Sequence, residues 1–186
     1  NITISDSNID VVGDNKRAEL LQETLKRLKK KLKKIVARDL GTGGVLVVPY
    51  VNRNKIYFNI ITQNRFSINK MIGDDIVDCT IMAEHIVRNQ EHYYRWADYM
   101  LENNNLYIRY RSTLDGEPIE MTLIPEWANI EDISITNVDK MPFMYIKSPI
   151  DNRKELDKYG APITYGCDKQ IAKIMNDLEQ IDREYS

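Results

Sequence analysis

The side chains of this chain that could do chemistry are two histidines, a cluster of aspartates, two glutamates and a group of glycines. His85 and His92 could ligate a metal or move a proton, but neither stands at metal-binding spacing from a Cys or a second His. Asp74, Asp75 and Asp78 could hold a divalent ion. They follow Gly73 at the start of a strand pattern, where a polar turn accounts for the same residues. Glu126 and Glu131 have the types of an acid and base pair, with nothing in the sequence to set them apart from surface carboxylates. Gly41, Gly43 and Gly44 could cradle phosphate, but a phosphate loop places its glycines after a strand and before a helix. Here the order is reversed, so the glycines meet the carbonyl end of a helix, which repels anions. No Gly-x-Ser-x-Gly elbow, Walker A loop or His-Glu-x-x-His helix occurs. The residues therefore predict a protein that is not an enzyme, with no catalytic, metal or cofactor site.

The remaining chemistry is electrostatic. Between Lys16 and Arg38 ten basic residues stand against Glu19 and Glu23, a net of +8 in a chain of formal charge −2, which leaves −10 elsewhere. Such a segment can meet an acidic surface of the chain itself, of a neighbouring copy or of a partner, or it can track phosphates. Lys26, Lys29, Lys30, Lys33 and Lys34 are the expected interaction face. Specific base readout is disfavoured, because the segment has no aromatic residue and only Asn15 and Gln22 as amide side chains. The competing readings are a nucleic-acid-binding module built on the basic helix 16–38 and an enzyme of unrecognised type using Asp74, Asp75 and Asp78.

The elements that must position these groups follow from periodicity. Leu21, Leu25, Leu28, Leu32, Ile35 and Val36 recur at helical spacing after a candidate cap at Asp14, which predicts an amphipathic helix over 14–40. Residues 1–13 are expected to be an extended or poorly ordered lead-in. An antiparallel meander is expected over 44–114, with strands Gly44–Val51, Lys55–Ile61, Ile76–Val87, Tyr93–Leu101 and Leu106–Leu114. Asn52-Arg53-Asn54 and Asn103-Asn104-Asn105 supply turns. Pro49 marks an edge or a bulge. In the last strand Leu106, Ile108 and Tyr110 share one face, and Tyr107, Arg109 and Arg111 the other. Residues 115–167 are rich in turns, with a short apolar run at Phe143–Ile146. A second helix is expected over 168–186, capped by Asp168, with Ile171, Ile174, Met175, Leu178 and Ile181 on one face.

The fold class is thus α+β, read as a single domain over 1–186. With 42% hydrophobic and 29% charged residues the composition is globular. No apolar run approaches the roughly 18 residues of a membrane span. Cys79 and Cys167 are too few for a disulfide framework or a zinc site and read as reduced structural thiols. No signal peptide is visible, and the chain begins at Asn1 without an initiator methionine, which suggests a processed form or an excised segment.

Several segments, in order, resemble the N-terminal half of tailed-bacteriophage portal proteins of the type found in phages of Gram-positive bacteria. They are the helix running into Leu40-Gly41-Thr42-Gly43-Gly44-Val45-Leu46-Val47-Val48-Pro49-Tyr50-Val51, then Lys55-Ile56-Tyr57-Phe58-Asn59 and Asn64-Arg65-Phe66-Ser67-Ile68. Further on come Ile119–Trp127 with its Pro-Glu-Trp element, Met141-Pro142-Phe143-Met144-Tyr145-Ile146-Lys147, and the ending Asp182-Arg183-Glu184-Tyr185-Ser186. The resemblance implies the wing region of a structural subunit, about twelve of which form a ring at one capsid vertex. It implies as partners a terminase, capsid and scaffold proteins, head–tail adaptors and double-stranded DNA passing through without sequence specificity. It implies location in the virion after assembly in the host bacterial cytoplasm, with neither membrane nor small-molecule substrate. A full portal subunit normally also contains a stem, a clip and often a helical crown, for which this sequence is expected to be too short.

Overall fold

In the computed structural model, which describes residues 15–150, 152, 158–167, 170 and 172–178, the basic segment forms one helix, α1 (Lys16–Thr42). The cap is Asn15, whose side chain accepts the Ala18 N–H at 2.9 Å, and not the expected Asp14, which lies outside the described residues. The helix also runs two residues past the expected Leu40, because it ends only where Gly43 adopts φ 89 and returns its N–H to the Asp39 carbonyl at 2.7 Å. That left-handed position closes a helix C-terminus and suits glycine.

The strands form two sheets rather than a single meander. The first has the order β2-β1-β9, with β1 (Gly44–Asn52), β2 (Lys55–Thr62) and β9 (Met144–Lys147) all antiparallel. The second runs β3 (Phe66–Ile72), β4 (Asp75–Arg88), β5 (Glu91–Glu102), β6 (Asn105–Leu114) and β7 (Glu117–Ile119). β8 (Ile133–Thr136) pairs with the part of β6 that β7 leaves free. The chain changes sheet through a short 3-10 turn at Gln63–Arg65, between β2 and β3. The expected strand boundaries hold to within two residues for β1, β2 and β4–β6. β3, β7 and β8 go beyond the expectation, β7 and β8 within the segment read as turns. Two-residue turns with positive φ close four hairpins, at Arg53-Asn54, Asn89-Gln90, Asn103-Asn104 and Asp115-Gly116.

Burial explains the continuous apolar run of β1. Val45 and Val47 face α1, packing with Ile35, Leu28, Leu32 and Phe58. Leu46 faces the other way, into Phe66, Ile68, Ile76, Cys79 and Ile81 of the second sheet. A strand covered on both faces reads as continuously hydrophobic. Pro49 lies on β1 beyond the reach of β9, which pairs only with Gly44–Val47, so its missing N–H costs no ladder bond on that side. Leu21, expected on the packed face, is exposed, while Ala18 near the same end of the helix is buried.

In the second sheet Leu106 and Ile108 pack with Ala97 as the alternation predicted. The loop after β7 covers the same face with Ile124 and the fully buried Trp127. Residues 172–178 are helical within the expected C-terminal helix, but Ile174, Met175 and Leu178 are exposed rather than packed. Asp168, Ile171, Ile181 and the family-like ending 182–186 lie outside the described residues, as does the lead-in 1–13.

Candidate functional site

The glycine junction is a packing hub. The Ser148 N–H donates to the Gly43 carbonyl at 3.1 Å, and the Ile163 N–H donates to the Leu40 carbonyl at 2.7 Å. These bonds occupy carbonyls at the helix end that would otherwise lack partners. A Cβ on Gly43 would lie 2.5 Å from the Gly160 carbonyl oxygen. Two chain segments distant in sequence therefore touch backbone to backbone here, and no cradle for an anion exists.

Just inside this junction lies a carboxyl that the sequence reading passed over. Asp39 is 6% exposed, and its Oδ1 has no hydrogen-bond partner among the described residues. Burial pushes its pKa above the ordinary value. The Tyr145 hydroxyl and Gln63 Oε1 are likewise buried and unpartnered, and both lie 2.9 Å from where a Gly44 Cβ would stand. Burial also carries Tyr145 up to about 12.

The basic residues of α1 divide into two groups. On one flank Arg27, Lys31 and Arg38 donate to the carbonyls of Ile56, Phe58 and Ile60 along the outer edge of β2. These are alternate residues of an edge strand, whose outward carbonyls have no strand to pair with. On the other flank Lys26, Lys29, Lys30 and Lys33 are exposed, and Lys34, also exposed, stands on the first flank between Lys31 and Arg38. The residues of the expected interaction face are thus exposed at the surface, while Arg27, Lys31 and Arg38 of the same helix bind the edge of β2.

Beside that edge lies a cleft of about 350 Å³ between α1, β2 and β4. Lys31, Lys34, Arg38 and Arg65 line it, and no carboxylate does. Lys31 and Arg38 are held by the β2 carbonyls, and Arg65 donates to the Met82 carbonyl at 3.4 Å. The arginine ion pairs among the described residues lie elsewhere: Arg27 with Glu23, Arg88 with Glu126, Arg95 with Glu84 and Arg111 with Asp98. Hydrogen bonds to carbonyls position a cation without cancelling its charge, so the cleft is a concentrated positive field.

The aspartates do not converge on an ion site. Asp74 and Asp75 sit at the exposed β3–β4 turn beside Gly73, as the polar-turn reading has it, while Asp78 on β4 accepts from Asn69 at 2.8 Å. Among the described residues no group of three His, Cys, Asp or Glu could hold a metal ion. Glu126 is bound to Arg88. A hydrogen bond from its own backbone and then the Arg88 guanidinium hold its carboxyl below the usual range. Glu131 is exposed. Cys79 is buried and its thiol is pushed up to about 12 by burial and by Asp78 and Asp98, which makes it inert. Cys167 is exposed, and neither cysteine is paired.

His85 and His92 meet across the β4–β5 hairpin, ring nitrogen to ring nitrogen at 2.9 Å. His85 stacks on Tyr94 at 4.5 Å, Tyr94 approaches Trp96 at 6.0 Å, and Arg111 lies over Trp96 at 5.4 Å. This ladder occupies the sheet face away from the core. The alternation His92, Tyr94, Trp96 was its signal in the sequence. Sequence reasoning also missed the buried Trp127, whose Nε1 donates to Glu84 at 2.8 Å while Arg95 donates to the same carboxylate oxygen at 3.1 Å.

Among the described residues no helix is long and apolar enough to cross a membrane. In comparison with known proteins, no family model matches this chain and no curated protein is significantly similar to it.

Proposed function

We propose that this chain is the wing-like part of a portal-type subunit. Such a subunit is a structural protein that forms a ring at the unique vertex of a bacteriophage capsid. The genome is packaged and ejected through that ring, and terminase, scaffold, coat and head–tail adaptor proteins dock on it. The observation that carries this reading is where the family-like segments lie. Gly44–Val47 and Met144–Lys147, far apart in sequence, are paired strands of one sheet. The Pro-Glu-Trp element contributes Trp127, which is 0% exposed. The segments that carry the resemblance are thus largely the framework of the fold, where sequence order is constrained by packing.

A ring of identical subunits needs two different complementary surfaces on each copy. A basic helix flank and an acidic remainder provide such a pair. The test is negative-stain imaging with native mass determination on the whole gene product. Rings of about twelve copies with an axial hole are expected. A persistent monomer that binds arbitrary duplex DNA in a steeply salt-dependent way overturns the reading in favour of a nucleic-acid module on helix 16–38. A monomer stabilised against heat by divalent ions favours instead an enzyme at Asp74, Asp75 and Asp78.

A further inference from the structure

The cationic cleft and the β3–β4 turn lie at opposite ends of one hairpin. Arg65 immediately precedes β3, and Met82 on β4 lines the cleft with it. Seven residues of β3 then run to the exposed turn that carries Asp74 and Asp75. At about 3.3 Å per residue the two ends are separated by roughly 20 Å. The acidic tip of a chain therefore cannot reach the cleft of the same chain.

The two features match in charge. The cleft is concave, lined by four cations and free of lining carboxylates. The tip borders a concavity of about 390 Å³ that Asp74 and Asp75 line with Asp139 and Lys140, and the two tip carboxylates are barely engaged within the chain. Asp75 is 4.0 Å from Lys140, and both side chains are more than two-thirds exposed. Beside them Ile72 is 64% exposed, an apolar residue at a tip where water is the alternative partner. The other hairpin tips fit less well. Arg53-Asn54 is basic, Asn89-Gln90 and Asn103-Asn104 present neutral amides, and Asp115 is tied back by the His92 N–H at 3.2 Å.

We infer that the β3–β4 tip of one copy inserts Asp74 and Asp75 into the cleft formed by Lys31, Lys34, Arg38 and Arg65 of the next copy. The contact is heterologous, tip to cleft, and gives each subunit one donor end and one acceptor end. This inference rests on the ring reading above and names the contact that would propagate it. Three of the four cleft cations are already held in place by backbone carbonyls, so they lose little freedom when the carboxylates arrive.

The test is a charge swap in the whole gene product, followed by native mass determination and light scattering. One variant carries Lys34→Glu and Arg65→Glu, and the other carries Asp74→Lys and Asp75→Lys. All four side chains are exposed, so both variants should keep the melting curve of the parent. Each variant alone should lose assembly, with association weakened by about tenfold or more through like-charge juxtaposition. An equimolar mixture should recover assembly, because the lysine tip meets the glutamate cleft and the native tip meets the native cleft. Variants that assemble like the parent, or a mixture no better than its components, overturn the contact while leaving the ring reading intact. A parent protein that stays monomeric overturns the ring reading and the contact with it. Normal assembly of the Lys34→Glu, Arg65→Glu variant with loss of duplex DNA binding reassigns the cleft to phosphate and overturns the contact.

Discussion

The two flanks of α1 are made of the same residue types and end in opposite situations. Arg27, Lys31 and Arg38 are bound to the carbonyls of β2, whereas Lys26, Lys30 and Lys33 lie exposed at the surface. The first flank closes a sheet edge that would otherwise recruit another strand. The second leaves its charge available to a partner. What separates them is only which side of the helix looks at a strand edge. A charge count along a helix therefore overstates its interaction surface wherever a backbone edge lies within reach of long cationic side chains.

The harshest way to break this comparison is to release the helix end that both flanks share. Gly43→Ala places a Cβ at φ 89 and 2.5 Å from the Gly160 carbonyl oxygen. Backbone strain and overpacking together should cost about 3 kcal/mol or more, read as a lower urea midpoint. A midpoint within error of the parent would show that the junction does not fix α1.

The comparison is sharpened by making one substitution on each flank. Arg38→Met keeps an apolar stem but removes the donor to Ile60, and should cost about 1 kcal/mol. It should also raise hydrogen exchange along β2. Lys33→Met on the open flank should change stability by less than about 0.5 kcal/mol. Equal costs from the two would abolish the distinction between the flanks.

The smallest effect tests the end of the helix from inside. The Asp39 pKa is raised by burial, so its folded value exceeds its unfolded value. The carboxyl then stabilises the fold most below the unfolded pKa, and that contribution is lost as pH rises through the folded pKa. In its ionised form it is a buried charge at the negative end of a helix dipole. Asp39→Asn should therefore raise the melting temperature at pH 7 by a few degrees, on the order of 1 kcal/mol or less. The gain should shrink as pH falls through the carboxylate range. A gain that does not depend on pH would assign it to packing instead.

The sequence made some of this legible and hid the rest for identifiable reasons. Alternation in Leu106–Leu114 and the apolar run of β1 give strands directly, because side-chain pattern reports burial. The stop at Gly43 is visible because few other residues accept that φ. β3 escapes notice because Ser67, Asn69 and Lys70 interrupt its apolar residues, and its register with β4 shifts twice. The division into two sheets is hidden because the turn at Gln63–Arg65 resembles the link of any hairpin. The split of the basic face cannot be read at all, since the partners of Arg27, Lys31 and Arg38 are carbonyl groups, which every residue has. The ladder of His85, His92, Tyr94 and Trp96 needs the cross-strand register, and the bulge between Met82 and Glu84 shifts that register by one.

The bonds from α1 to β2 also make the helix a ruler. Arg27 and Lys31 are four residues apart on a helix, an advance of about 6 Å, and Ile56 and Phe58 are two residues apart on a strand, about 6.6 Å. The two repeats nearly coincide, and the longer reach of Arg38 absorbs the remaining mismatch at Ile60. If β2 slipped by one residue, the carbonyls at 56, 58 and 60 would turn toward β1 and those of the adjacent residues would take their places, so these bonds fix the spacing of the edge and leave its register to the side chains that the slip would turn to the wrong face.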